Sequence, residues 1–269
     1  MTAVASERDV RVLRIRPRSA LTLLLASLGG LAAFLWPLLA ERGAALQSTS
    51  APLVFALLLP VLLAVVLAEL SDGGMDTKAL AMLGVLSAIG AALRPLGAGT
   101  AGVETVFFLI VLAGRVFGPG FGFVLGATTL FSSALLTGGV GPWLPFQMLG
   151  AAWVGLGAGL LPRVRGRAEL LLLAVYAAVS SLLFGALLNL SFWPFMLGSS
   201  NQLSFDPTAG PLENLHTFAL FTMATSLGWD LGRGITTIVL VLLAGPAVLA
   251  ALRRASRRAA FTAPVTFTP

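Results

Sequence analysis

Apolar runs of near-spanning length recur from Leu21 to Leu252, separated by short stretches that carry charges, Pro or Gly. A bilayer core takes about 20 residues of helix, so runs bounded in this way predict membrane-spanning helices. The pattern places spans near 19–40, 51–70, 78–93, 103–118, 119–136, 145–161, 168–190 and 233–252. Those at 78–93 and 103–118 are short and are expected to extend into their flanks or to cross a locally buried region. The rhythm breaks between 191 and 232. Ser191 through Leu212 contains Asn201, Gln202, Asp206, Pro207 and Pro211 and reads as an external loop. Glu213 to Leu231 is moderately apolar but carries Glu213, His216, Trp229 and Asp230. It predicts an interfacial or re-entrant helix, the alternative being that it lengthens the last span or forms a pair with it.

Composition strengthens the membrane assignment. The 269 residues are 57% hydrophobic and 10% charged, with a mean hydropathy of +0.95, whereas a soluble domain is about 25% charged. The fold class expected is an all-α polytopic membrane protein of about eight spans. The net charge of +6 does not imply a nucleic-acid partner, because the arginines lie beside apolar segments without an aromatic-basic recognition module; membrane lipids are the expected partner. The basic stretch Arg11 to Arg18 before an apolar run resembles a signal peptide. The run to Ala40 is longer than an ordinary signal core and is expected to stay as a helix.

Charge also sets orientation. Eight crossings put Arg8, Arg11, Arg14, Arg16 and Arg18, then Arg163, Arg165 and Arg167, then Arg253, Arg254, Arg257 and Arg258 on the cytoplasmic side with Lys78 and Arg115, leaving Arg42, Arg94 and Arg233 outside. Residues 1–18 and 253–269 are then basic cytoplasmic termini of a multi-pass cell-membrane protein. The chain has 30 glycines and no cysteine, which excludes disulfides and thiolate metal sites. Gly84, Ala88 and Ala92 form a small-residue stripe at intervals of four, as do Gly155 and Gly159. Such stripes let helix backbones approach, either inside the bundle or against another membrane subunit. Arg115-Val-Phe-Gly-Pro-Gly-Phe-Gly predicts a tight reversal in which Gly118 ends one helix and Pro119 starts the next.

Catalytic and metal signatures are scarce. His216 is the single histidine; HExxH, GxSxG and GxxxxGK[ST] are absent, and neither a catalytic residue, a metal nor a cofactor is expected. The polar residues that remain gather outside and suit binding: Arg94, Glu104, Trp143, Gln147, Trp193, Asn201, Glu213, Asn214, His216, Trp229 and Asp230, with Asp206 and Arg233 nearby. Together they offer aromatic surface, directed hydrogen bonds and charge for a polar organic molecule with an apolar part. Each also has a structural alternative. The tryptophans suit an interfacial belt, Arg94 and Glu104 mark helix ends, Gln147 sits where it can bond a loop, and Glu213 can cap its helix.

Three stretches carry a resemblance: Thr77-Lys-Ala-Leu-Ala-Met-Leu-Gly-Val-Leu-Ser-Ala-Ile-Gly-Ala-Ala, then Ala-Gly-Arg-Val-Phe-Gly-Pro-Gly-Phe-Gly-Phe-Val-Leu-Gly from Ala113 to Gly126, then Gly141-Pro-Trp-Leu-Pro-Phe-Gln-Met-Leu-Gly. The sequence resembles the substrate-specific S component of energy-coupling factor (ECF) transporters, and more narrowly actinobacterial members similar to cobalamin-type S components. The resemblance implies a six-helix core over 75–252, with 19–70 as two added N-terminal helices. It implies a subunit that binds a vitamin or related micronutrient, cobalamin being a candidate, and associates with a membrane coupling subunit and two cytoplasmic ATPases. It also implies that Gly84, Ala88 and Ala92 form the coupling-subunit face and that the pocket lies near the outer surface. A stand-alone secondary transporter or channel and a purely structural membrane subunit are the competing classes.

Overall fold

The computed structural model describes residues 17–39, 58, 61–62, 64–66, 77–97, 100–196, 201–206 and 208–259. Regular structure among them is helical: α1 (Pro17–Leu39), α2 (Thr77–Leu93) with a 3-10 turn at Arg94–Leu96, α3 (Val106–Phe117), α4 (Pro119–Thr137), α5 (Leu144–Leu160), α6 (Arg167–Met196), α7 (Pro211–Thr225), α8 (Leu227–Leu243) and α9 (Gly245–Ala259). Three stretches, Thr77–Leu96, Pro119–Thr137 and Arg167–Trp193, are each long and apolar enough to cross a bilayer. The pair α7 and α8 reaches that standard jointly, bent by 63°, while Ala20–Leu35, Val106–Phe117 and Leu144–Leu160 are shorter apolar helices. This is an all-α polytopic membrane protein. Most of the span expected at 51–70 lies outside the described residues, although Leu62 and Val66 are helical and buried.

The centre of the bundle is built by close backbone contact. Val111, Leu112 and Ala113 of α3 and Phe121, Phe123, Val124 and Leu125 of α4 are fully enclosed. A Cβ on Gly155 of α5 would strike the carbonyl of Gly122 on α4, and one on Gly159 would strike Pro119 and Gly118. The same holds for Gly114 of α3 against Gly155, and for Gly126 against the Ala151 carbonyl. In lipid there is little hydrophobic drive between helices, so dispersion across such contacts is what binds them. The Gly155–Gly159 stripe is therefore used inside the chain. Among the described residues Gly84 meets nothing within 4 Å, and Ala88 and Ala92 are exposed beside it. The reversal at Gly118 forms as its residues dictate: φ is 103°, its N–H bonds the Gly114 carbonyl, and Pro119 begins α4.

Helix α1 is joined closely to α5. Gly30 abuts the Leu149 side chain, Trp153 Nε1 donates to Ser27 Oγ at 3.0 Å, and Phe34 stacks 4.8 Å from Phe146 and 5.6 Å from Trp153.

One end of the bundle is tied by arginines. Glu169, in the first turn of α6, is 2% exposed and accepts from Arg115 Nε at 2.7 Å and from Arg253 Nη2 at 2.6 and 2.7 Å. Arg115 also donates to the carbonyls of Leu161, Pro162 and Val164, each at 3.0 Å. One carboxylate and one guanidinium thus hold α3, α6, α9 and the α5–α6 connection together.

The final segment departs from the sequence reading. A single span over 233–252 was expected, but α8 starts at Leu227 and ends at Leu243, and α9 continues separately from Gly245. Arg233, expected outside at the start of that span, is only 7% exposed. Its charge is met by protein partners rather than water, so the helix runs past it by six residues. Gly245 and Pro246 set the other limit: Leu249 and Leu252 of α9 are buried, while Arg254 and Arg257 are exposed.

Glycine contact gives a direct test. Gly155→Val should destabilise the protein by about 1–3 kcal/mol through overpacking, and Gly84→Ala by less than about 0.5 kcal/mol as an open surface site. Thermal unfolding in detergent measures both, and equal shifts would contradict the packing described.

Candidate functional site

At the other end of the bundle, away from Glu169, the chain folds a tight loop onto the start of α8. Ala101 has φ 48°, a left-handed conformation unusual for a residue with a Cβ, and Gly102 follows with φ 75°. This turn lets backbones touch. A Cβ on Gly102 would strike the Trp229 carbonyl, and one on Gly232 the Ala101 carbonyl. Thr105 Oγ1 donates to the Leu93 carbonyl at 2.6 Å, fixing the loop to the end of α2. Glu104 is thereby brought over Arg233.

Arg233 is the centre of a buried ion cluster. Its Nη1 donates to Asp230 Oδ1 at 2.7 Å and to the Ser181 carbonyl at 3.2 Å, and its Nη2 donates to Glu104 Oε1 at 3.1 Å. Nε lies 3.1 Å from Glu104 Oε2, an ion-pair contact whose angle makes no hydrogen bond. The guanidinium carbon sits 4.9 Å from the centroid of Phe184 and 5.7 Å from that of Phe107, and those rings meet edge to face at 4.8 Å. Asp230 fits because position 185 is glycine, where a Cβ would overlap its carboxylate. Paired charge, donated hydrogen bonds and ring faces offset the cost of burying these ions.

A second polar pair stands nearby. Arg94 Nη2 donates to Gln147 Oε1 at 3.0 Å, linking the end of α2 to the first turn of α5. Both residues are half-buried. Trp143, one turn before Gln147, is 52% exposed, as is Trp229 at 47%.

The remaining candidates fall into two groups. Trp193 is fully buried, donates from Nε1 to the Leu203 carbonyl at 2.7 Å, and packs with Phe205, Phe218 and Phe221. Asn214 is 4% exposed; its Oδ1 accepts from the Asp206 N–H at 3.0 Å and its Nδ2 donates to the Asp206 carbonyl at 2.8 Å. Asn201 Oδ1 accepts from the Leu203 N–H at 2.9 Å. Trp193 and Asn214 hold the 201–206 segment against α6 and α7, while the Asn201 bond closes a turn within it. Hydrogen bonds from the Thr208 hydroxyl and backbone N–H hold the Asp206 carboxyl below the usual carboxylate range. Glu213 and His216 are exposed on α7.

The structure thus brings Arg94 to Gln147, and Glu104 and Asp230 to Arg233. It also moves Arg233 from the edge of the candidate set to its centre and adds residues that the set lacked: Phe107, Phe184, Gly185 and Ser181. Asn189 is a further one, buried at 4%; it donates to Thr222 Oγ1 at 3.3 Å and accepts from Ser226 Oγ at 2.9 Å, joining α6 to the α7–α8 bend. Two signals pointed to these: an Asn inside an apolar span, and opposite charges three apart on one helix. Among the described residues there is no group of three or more His, Cys, Asp or Glu placed to hold a metal.

Comparison with protein families gives a match to the family described as ECF transporter, substrate-specific component, over residues 78–245. Comparisons with curated proteins and with solved structures give no match. The family match covers more than half of the 269 residues. It includes nearly all of α2 and the whole of α3 through α8, together with both polar clusters.

Removing the central cation should be costly. Arg233→Gln leaves the buried Asp230 and the half-buried Glu104 carboxylates without their partner, and a loss of roughly 3 kcal/mol is expected. The measurement is thermal unfolding of the purified protein; a fall in stability no larger than that of an exposed-arginine control such as Arg254→Gln would contradict the role given to Arg233.

Proposed function

Since this chain belongs to the substrate-specific components of ECF transporters, and so is a membrane transport subunit rather than an enzyme, we propose that it captures a vitamin or related micronutrient outside the cell and passes it to an ATP-driven import complex. The family match is the observation that carries this reading. The two polar clusters support placing the substrate site at the end of the bundle that holds Arg94, Glu104, Gln147 and Asp230. Trp143 and Trp229 would add apolar surface, and Glu213 and His216 would line the approach. Trp193 and Asn214 would hold the 201–206 segment over this end, since their polar atoms are already engaged, and Asn201 would stand exposed on that segment. Cobalamin is one candidate substrate on the strength of the resemblance described above.

Energy has to come from elsewhere, because the sequence holds no phosphate-binding loop. The partners proposed are a membrane coupling subunit and two cytoplasmic ATPases. The contact face proposed is Gly84, Ala88 and Ala92 on α2, a stripe that a partner helix can approach closely because no described residue comes within 4 Å of a Cβ placed at Gly84. Orientation follows from charge: the Glu169 end with its arginines would face the cytoplasm, and the Arg233 end the outside. Cysteine labelling of intact cells should then reach Asn201→Cys and spare Arg165→Cys.

The coupling face is tested by replacing Gly84 and Ala88 together with Leu. Recovery of the coupling subunit in detergent should fall about tenfold or more, corresponding to a loss of at least ~1.4 kcal/mol, while substrate binding by the isolated chain persists. Undiminished recovery would overturn the surface. Uptake by liposomes holding this chain alone under an ion gradient would instead favour a stand-alone secondary transporter.

A further inference from the structure

The hydrogen-bonding capacity left over at the proposed site has a sign. Among the acids, Glu104 has both oxygens within 3.1 Å of Arg233, and Asp230 Oδ1 accepts from Arg233 at 2.7 Å. Their negative charge is directed inward, onto a cation held between two rings. Donors are in a different state. A guanidinium offers five N–H groups, and among the described residues the Arg94 side chain spends one, on Gln147 Oε1. By accepting that bond, Gln147 orients its own Nε2 as a second donor for which no partner is present among the described residues. Two hydroxyls lie in the same wedge of helices. Thr129 Oγ1 and Ser133 Oγ of α4 are buried without a hydrogen-bond partner among the described residues, and Thr129 abuts Gly90, one helical turn before Arg94.

Unspent donors around a half-buried guanidinium call for an anion. Guanidinium presents a planar fork that matches the two oxygens of a carboxylate, and such charge-assisted bonds are about twice as strong as neutral ones. A cationic solute would meet Arg94 in place of a free acid. A neutral one would leave the fork of this half-buried guanidinium to water and would forgo the charge-assisted bonds. The position of Glu104 sets the geometry further: Thr105, its neighbour, is bonded to Leu93, the neighbour of Arg94. An anion would therefore seat on the Gln147 side of Arg94, with the rest of the solute toward Trp143.

Resting on the reading of this end as the substrate site, we infer that the substrate carries a carboxylate and that Arg94, oriented by Gln147, recognises it. Arg94 and Gln147 are then specificity-determining residues, and the substrate class is an acid with an apolar body.

The test uses the purified full-length chain in detergent and isothermal titration calorimetry. The probes are biotin, nicotinate and lipoate, each beside its uncharged amide, together with pantothenate, folate, thiamine, riboflavin and cyanocobalamin. One of the acids should bind, with any matching amide about 10- to 100-fold weaker, the range expected for a lost charge-assisted bond. Arg94→Gln should remove the preference for acid over amide, and Arg94→Lys should retain part of it, since the charge remains while the fork is lost. If Arg94→Gln fails to fold, the acid–amide comparison on the unaltered chain decides alone. Equal affinity for acid and amide, full acid binding by a folded Arg94→Gln, or no binding by any acid would overturn the inference. Binding of thiamine, riboflavin or cyanocobalamin in the absence of acid binding would overturn it while leaving the importer reading intact. Failure of every probe together with failure to recover a coupling subunit would count against the importer reading itself.

Discussion

The Arg233 guanidinium is the constraint on which the functional end of this protein depends. It sits 7% exposed among α3, α6 and α8, in an environment where an unpaired charge would be prohibitive. Every feature around it answers that problem. Glu104 and Asp230 supply charge, the Ser181 carbonyl takes a hydrogen bond, and Phe107 and Phe184 present ring faces. Supplying Glu104 requires the loop at 101–104 to press against α8. That in turn requires the left-handed turn at Ala101 and Gly102 and a glycine at position 232. Supplying Asp230 requires glycine at 185. A single buried cation thus explains four local features separated widely in sequence.

The opposite end uses the same physics with the signs exchanged. There one buried carboxylate, Glu169, is shared by Arg115 and Arg253. Helix α3 belongs to both clusters, with Glu104 just before its start and Arg115 in its last turn. Between the ends, glycine-to-carbonyl contacts join α3, α4 and α5. The outcome is a closely packed centre tied at both ends, with α2 on its flank showing a small-residue stripe that no other described residue covers at Gly84. Such a body is suited to acting as a unit against a partner, because its internal contacts do not compete for the surface that a partner would need.

Much of the helical layout was legible from apolar run length, since lipid leaves the backbone few options. The reversal at Gly118–Pro119 was legible for the same kind of reason: both residues have strong backbone preferences. Legibility failed where a polar residue found its partner far along the chain. Arg233 looked like a helix boundary because its counter-charge, Glu104, lies 129 residues away. Trp193 looked like a belt residue or a ligand contact until Phe205, Phe218 and Phe221 enclosed it. Asn214 looked available for a ligand, yet its amide closes on the backbone of Asp206. Residue type announced that these positions matter, whereas only the fold separates those that hold the cap from those with hydrogen bonds to spare. The α2 stripe was legible as a packing surface, and the fold then showed which of two such stripes is already filled.

The central claim is that this end of the bundle holds one small molecule for an importer that draws its energy from partner subunits. Native mass spectrometry of the chain purified alone from its own cells tests that claim most directly. The account predicts a single small-molecule adduct per chain, released on denaturation and absent from Gln147→Ala, with the Gly84→Leu, Ala88→Leu variant retaining it. An adduct held equally by Gln147→Ala, or no adduct at all from a folded preparation, would contradict it.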